Sequence, residues 1–352
     1  MEQGTTTRLT AARVIVIMSI LMFLSLAVIF GALHCGVLKI GTRDIVSCLI
    51  EKMTQPDVPH VEARISLIVW DIRLKRIMLA FVVGMALAVS GCIFQALLRN
   101  SLADPHILGT SSGGALGAVL ATACGIPIFL QNIITVPFFS FAGSLGAMGL
   151  VYALSKRKGE LSVYSLLLVG VILNSFFISI VIFIETIVSH DQLTSIFFWL
   201  LGSLSNVNGT LIVVVSVAVC ASVTVLFSQT RNINLLTLGD EKARQLGVST
   251  ERTKAICFIG ASFITGLSVA VSGLIGFVGL VVPHIVRLLF GPDHRLSLPA
   301  SALVGGMFLV IADTIARTIL MPQELPVGVV TSFIGAPFFI FLLKKKETRR
   351  IV

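Results

Sequence analysis

Apolar residues fall into about ten runs of roughly 17–25 residues, each long enough to cross the hydrocarbon core of a bilayer as a helix. No other feature of the chain constrains its fold as much. The hydrocarbon region holds no water, so every backbone N–H and C=O must pair within the protein, which leaves helices or closed barrels. The alternating pattern of barrel strands is absent. The predicted fold class is therefore an all-α polytopic membrane protein of about ten transmembrane helices. The spans are placed near 13–33, 76–97, 107–125, 131–154, 162–187, 209–228, 254–272, 274–290, 299–320 and 326–343. Only 12 % of the 352 residues are charged and 56 % are hydrophobic, whereas a soluble domain carries roughly 25 % charged residues. Residues 1–352 are thus expected to form a single transmembrane domain, with a solvated loop at 229–253. The first run follows Arg8 and Arg13 as a signal peptide would. It is long and lacks a clear small-residue cleavage site, so it is counted as a span.

Lys and Arg set the orientation. Of the 26 basic residues, 18 gather on one side, including Arg8, Arg13, Arg99, Lys156 to Lys158, Arg231, Lys242, Arg244, Arg252, Lys254, Arg287, Arg295 and the basic C-terminal tail. That side is predicted to be cytoplasmic, and an even number of spans puts both termini there. The net charge is +9, and no nucleic-acid partner is expected. Seven of the remaining basic residues lie between the first two spans. Lys39, Arg43, Lys52 and Arg64 alternate with Asp44, Glu51, Asp57 and Glu62, as in an ordinary solvated loop. Arg73-Leu74-Lys75-Arg76 is a tight cluster at the mouth of the second span. The eighth, Arg317, follows Asp313 by one helical turn. These outer cations fit either snorkelling anchors with an i,i+4 ion pair or a surface for an acidic partner.

The most charged helix candidate in this oily chain is Leu238-Gly239-Asp240-Glu241-Lys242-Ala243-Arg244-Gln245-Leu246-Gly247. Asp240 and Glu241 suit the positive end of a helix dipole, Arg244 suits the negative end, and Gly247 is a stop signal. Apolar spans flank it, so it lies at a membrane surface. It is either a passive interfacial connector or a docking knob for a soluble partner.

The chain also repeats itself. Gly84 to Gly91 (GMALAVSG) matches Gly266 to Gly273 (GLSVAVSG), and each copy is followed by Pro-His-Ile, at Pro105 and Pro283. Span two would run inward and span seven outward, the pattern of an inverted repeat common in transporters. Small residues at helix-packing spacing (Gly84 and Ala88; Gly109, Gly113 and Gly117; Gly143, Gly146 and Gly149) predict closely packed helices. No GxxxxGK[ST], HExxH or Gly-x-Ser-x-Gly is present. His284 stands alone, which makes an intramembrane enzyme the weakest reading. No chain of intramembrane acids suggests a proton-coupled carrier, although a stand-alone secondary carrier or channel stays open. The six cysteines include no CxxC pair and serve mostly as small core residues, leaving a Cys35–Cys48 disulfide in an outer loop open.

With these residues in view the chain resembles the permease subunits of the FecCD family, the type II ABC importers for iron-siderophores, haem and vitamin B12. The resemblance covers nearly the whole chain. It is carried by Arg73 to Arg76, Ser90 to Pro105, Leu238 to Gly247, Gly276 to Arg287, Gly291 to Arg295 and Glu324 to Thr331. Lys75 and Ser101 stand where the family usually has proline. The resemblance implies a dimer of permeases, with a second permease subunit identical or not, around one pathway for a metal-chelate cargo. It implies two ABC ATPase subunits, which carry out ATP hydrolysis, and a periplasmic or lipid-anchored substrate-binding protein. The subunit itself would be no enzyme and hold no cofactor, and it would sit in the lipid of the cytoplasmic (inner) membrane of a prokaryote. Leu238, Gly239, Asp240, Glu241, Ala243, Arg244, Gln245, Leu246 and Gly247 would couple to the ATPase. Arg73, Arg76 and Arg317 would dock the binding protein, and Leu161, Ser162, Val163 and Tyr164 would form the cytoplasmic gate.

Overall fold

The computed structural model describes residues 10–54, 63–126, 135–157, 160–205 and 208–351. Arg8, Asp57, Glu62, Lys158 and the first residues of the span placed at 131–154 lie outside them. The chain begins with helix α1 (Ala11–His34) and the shorter α2 (Thr42–Thr54). Then α3 (Ala63–Leu67) runs without a break through a π-helical stretch, Ile68–Leu74, into α4 (Lys75–Leu97). A 3₁₀ turn at Pro105–Leu108 leads into α5 (Thr110–Ala123). Next come α6 (Thr135–Ser155), a small antiparallel hairpin of β1 (Lys156–Arg157) with β2 (Glu160–Leu161), and α7 (Val163–Glu185). Helices α8 (His190–Leu200), α9 (Gly209–Ser228), α10 (Thr230–Leu236) and α11 (Asp240–Gln245) follow. The chain closes with α12 (Thr250–Ser272), α13 (Val278–Phe290), α14 (His294–Thr318) and α15 (Val327–Ile351). Seven of these segments are long and apolar enough to span a bilayer; α13 and the apolar part of α15, Val327–Phe341, are shorter, and α5 has 14 residues. Each predicted span corresponds to one helix.

Two expectations need correction. The charged stretch around Arg43 and Glu51 is helix α2, not an irregular loop. Ile45, Cys48 and Leu49 recur three and four residues apart, so one face packs on the core while Asp44 lies in the first turn, at the positive end of the helix dipole. Helix α8 was not anticipated, because an eleven-residue amphipathic segment gives no membrane-span signal. Its start is nevertheless written locally: Ser189 accepts from the Gln192 N–H, and the Gln192 side chain accepts from the Ser189 N–H, a reciprocal capping box.

Helices α4, α12 and α14 form the buried centre, while α1, α7 and α9 turn most of their surface outward. The α4–α14 crossing is set by two glycines. A Cβ at Gly84 would lie 2.2 Å from the Gly305 carbonyl oxygen, and one at Gly305 would lie 2.4 Å from that of Gly84. Both backbones therefore approach as only glycine permits. Of the predicted packing glycines, Gly113 and Gly143 face each other between α5 and α6, whereas Gly146 and Gly149 meet nothing within 4 Å. Gly109 instead supplies the left-handed residue (φ 82°) that precedes α5.

The two Pro-His-Ile copies take different forms. Pro105 opens the 3₁₀ turn, and Pro283 lies inside α13. Between α12 and α13 the helix breaks at Gly273–Phe277, and neighbouring groups bond the freed backbone. Ser203 N–H donates to Ser272 C=O at 2.9 Å, His106 Nε2 bonds Ile275 C=O at 2.8 Å, and Gln95 Nε2 donates to Gly279 C=O at 3.1 Å. Irregular backbone at membrane depth is tolerated only under such cover. All six cysteines are free, Cys35 and Cys48 included.

Candidate functional site

The predicted functional residues gather at the two ends of α4, a helix of 23 residues and so roughly 34 Å long. At the C-terminal end of α4 lies α11. The Gly239 conformation (φ 117°) turns the chain into the helix, and Gly247 (φ 84°) turns it out. Val248 N–H reaches back to Ala243 C=O at 3.0 Å, closing a Schellman-type stop. Ala243 and Val248 bury against Leu235 and Leu236. Leu238 and Leu246 are left more than half exposed, and Glu241, Lys242, Gln245 and Gly247 are exposed as well. The helix is therefore pinned by one small apolar contact and presents two leucines outward.

Charge does the remaining anchoring. Asp240 accepts from Arg99 Nη2 and from Lys254 Nζ. Burial pushes its carboxyl upward, but Lys254 and Arg99 outweigh that and hold it below the usual carboxylate range. Arg99 also donates through Nε to Leu236 C=O at 3.1 Å. Arg244 Nη2 donates to Glu160 Oε1 at 2.7 Å, and its Nε to Thr250 Oγ1 at 3.0 Å.

These partners bring in the residues predicted as a gate. Leu161 ends β2 and is buried; Ser162 is the N-cap of α7, accepting from Ser165 N–H at 3.3 Å. Val163 and Tyr164 form the first turn of α7, and Tyr164 is three-quarters exposed. A cavity of about 510 Å³ is lined by Leu98, Arg99, Glu160, Leu161, Ser162, Val163, Asp240 and Lys254. Two stretches about 80 residues apart in sequence, 161–163 and 240, thus face one space. Arg99, Glu160, Glu251 and Lys254 had not been singled out as site residues. The available signals were the place of Arg99 in the 90–105 motif and the i,i+3 spacing of Glu251 and Lys254.

At the opposite end of α4, Arg73, Arg76 and Arg317 do converge, but they are turned inward, each under 10 % exposed. Arg73 lies in the π-helical stretch and donates to the carbonyls of Leu33, at 2.6 Å, and Leu38. Arg76 makes a fork on Asp313, with Nε and Nη2 at 3.0 and 2.9 Å from Oδ1, and its Nη1 donates to Glu324 Oε2 at 2.7 Å. Arg317 donates to Ala32 C=O at 3.0 Å; its pair with Asp313 is longer, at 3.6 Å. Asp313 therefore serves Arg76 first, rather than its own-helix neighbour. The cluster contains three cations and two carboxylates, and Glu324 is half exposed. Lys75 pairs with Asp71 at 2.7 Å, on the surface.

A model of the FecCD transport family matches residues 17–345. An uncharacterized ABC transporter permease, YvrB of Bacillus subtilis (strain 168), is 40 % identical over 329 residues, covering 92 % of each chain. The hemin transport system permease HmuU of Yersinia pestis is 41 % identical over 285 residues, covering 80 % of this chain and 85 % of that one. Among solved structures, an ABC transporter of the metal-chelate type in an inward-facing conformation is similar with a TM-score of 0.81 and 30 % identity. That match covers 94 % of this chain and 99 % of the other.

Proposed function

The chain belongs to the FecCD transport family, and from that premise we propose that it is the permease of a binding-protein-dependent importer for an iron-siderophore or related metal chelate such as haem or vitamin B12. The metal-chelate cargo class is supported by the hemin permease and by the metal-chelate structural relative. In this reading two permease chains, identical or not, enclose the pathway in a prokaryotic inner membrane, with both termini cytoplasmic. Two ATPase subunits bind at the α11 end and hydrolyse ATP, and a periplasmic or lipid-anchored protein delivers cargo at the Arg76 end.

The observation that carries this reading is α11 itself. It is a six-residue helix, too short to be stable alone, yet it is clamped by charges so that Leu238 and Leu246 point outward. A stand-alone carrier or channel leaves that arrangement without a use. Leu161, Ser162, Val163 and Tyr164 at the start of α7 then act as the gate. Arg73, Arg76 and Arg317 act on docking by holding the rim and giving it a net positive charge, since their guanidinium groups are already bonded inside the chain.

The test is reconstitution. Co-expressed with its ATPase, the permease should retain that subunit through purification and import chelate only with binding protein and ATP. Leu246→Asp places a charge on the exposed apolar contact. It should leave insertion unchanged and weaken ATPase binding by at least about tenfold, the result of burying an uncompensated charge. Normal ATP-driven uptake by that variant would refute the assignment of α11.

A further inference from the structure

Lys254 is buried, with 4 % of its surface exposed, although it is a lysine at the start of a membrane helix. Its ammonium group has three N–H donors, and three acceptors from three elements surround it. These are Asp240 on α11, Glu251 Oε1 on α12 at 3.2 Å, and the Leu161 carbonyl at the end of β2 at 3.4 Å. Glu251 completes the arrangement, because its Oε2 accepts the Leu161 N–H at 2.5 Å. Both backbone polar groups of Leu161 are thus held by side chains near the start of α12, and the next residue, Ser162, caps α7. Arg244 and Glu160 add a second strap between α11 and the hairpin, on the exposed side. Lys156 of the same hairpin sits over the Tyr152 ring, 5.3 Å from its centre, tying the other strand to α6.

Buried ion pairs are weak contributors to stability, since desolvation consumes most of the Coulomb gain; their best-attested use is to fix register or to switch. An apolar side chain would have filled the position of Lys254 at lower cost. We infer that Lys254, assisted by Glu251, is a positioning joint through which displacement of α11 is passed to the Leu161–Tyr164 turn and so to the start of α7. The assignment deepens the reading of α11 as the ATPase contact and of 161–164 as the gate, and it rests on that reading. Movement of Asp240 carries the ammonium with it, and the ammonium carries the carbonyl in front of the gate. Without the joint, α11 keeps its outer leucines, its Arg99 anchor, its apolar seat and the exposed Arg244–Glu160 strap, but loses its buried hold on the Leu161 carbonyl.

The experiment has two arms, both on the full-length chain with Lys254→Met and, as the conservative variant, Lys254→Arg. In the first arm, amide hydrogen exchange of the permease alone in nanodiscs is followed over 160–165 and 240–248. Loss of a shared joint should raise exchange in both segments together in Lys254→Met, and Lys254→Arg should restore protection to both. A rise in only one segment, or in neither, overturns the joint. In the second arm, the complex with ATPase and binding protein in liposomes is scored for ATPase affinity, ATP hydrolysis and cargo imported per ATP. Lys254→Met should lower cargo imported per ATP hydrolysed about tenfold or more, the size of a typical coupling free energy and a larger loss than any fall in ATPase affinity. Lys254→Arg should recover most of it. Unchanged import per ATP, or loss of ATPase binding in parallel with import, overturns the inference. If the wild-type chain retains no ATPase, the functional reading fails in the second arm, while the first arm still decides whether the joint exists.

Discussion

Arg99 shows how a single residue can work against its own backbone. It sits at φ 49° just beyond α4, where glycine would end the helix freely; an L-residue there costs roughly 1 kcal/mol. The side chain gives the return, bonding Leu236 and Asp240 and so holding α11. Arg99→Gly should leave the melting temperature of the purified protein unchanged or slightly raised, while limited proteolysis across 236–248 accelerates. A melting temperature lowered by many degrees would show that Arg99 supports the bundle rather than α11. The same anchor has a pH signature. The Asp240 carboxyl is held below the usual range, so its contribution is fully present above the unfolded value of about 3.9 and is lost as pH falls through the lower folded value. Protection of 236–248 should therefore be flat between about pH 7 and 5 and weaken only below about pH 4. Loss of protection starting near neutrality would assign the anchoring to another group.

At the scale of elements, close backbone approach separates glycines that matter from glycines that merely recur. Gly84→Ala puts a methyl group against the Gly305 carbonyl and should cost about 1–3 kcal/mol, as overpacking does; the readout is less monodisperse protein and a lower melting temperature. Gly146→Ala, with open space around it, should be silent in the same assay, and equal losses for both would contradict the α4–α14 crossing. This contrast also marks what the sequence made legible. The spans could be read because the bilayer permits few solutions to backbone pairing, so apolar length alone located ten helices. Gly84 and Gly146 look alike in sequence, since the face each presents depends on how the helix is rotated in the bundle. Helices α2 and α8 escaped for the opposite reason: their amphipathic faces carry a period that a hydropathy window averages away. Leu238 to Gly247 was visible as a charged island. Its partners Arg99, Glu160, Glu251 and Lys254 were not, because a bond such as Arg99–Asp240 joins residues 141 apart, and no local pattern encodes that distance.

Across the whole molecule, the two ends of α4 are built on different electrostatic plans. At the α11 end most ion pairs join separate elements, linking α11 to the residue after α4, to the hairpin and to α12. At the other end Arg73, Arg76 and Arg317 bind carbonyls and carboxylates inside the bundle. Reversing Arg73 or Arg317 to Glu would set a carboxylate against carbonyl oxygens, so those changes should mainly reduce the amount of inserted protein and say little about docking. Glu324 offers a cleaner probe, because its side chain is half exposed while Arg76 keeps its fork on Asp313 without it. Glu324→Gln removes one negative charge from the rim at nearly constant shape. If this rim attracts an acidic binding protein through its field, affinity should rise about two- to fivefold at low salt, the scale of an exposed charge interaction. At about 1 M salt the Debye length falls to about 3 Å, and the gain should disappear. Binding measured in nanodiscs at the two salt concentrations decides the matter. An affinity that is the same for Glu324→Gln and wild type at low salt would mean that the rim charge does not steer the partner, and that the three arginines serve only to lock α1, α4 and α14 together.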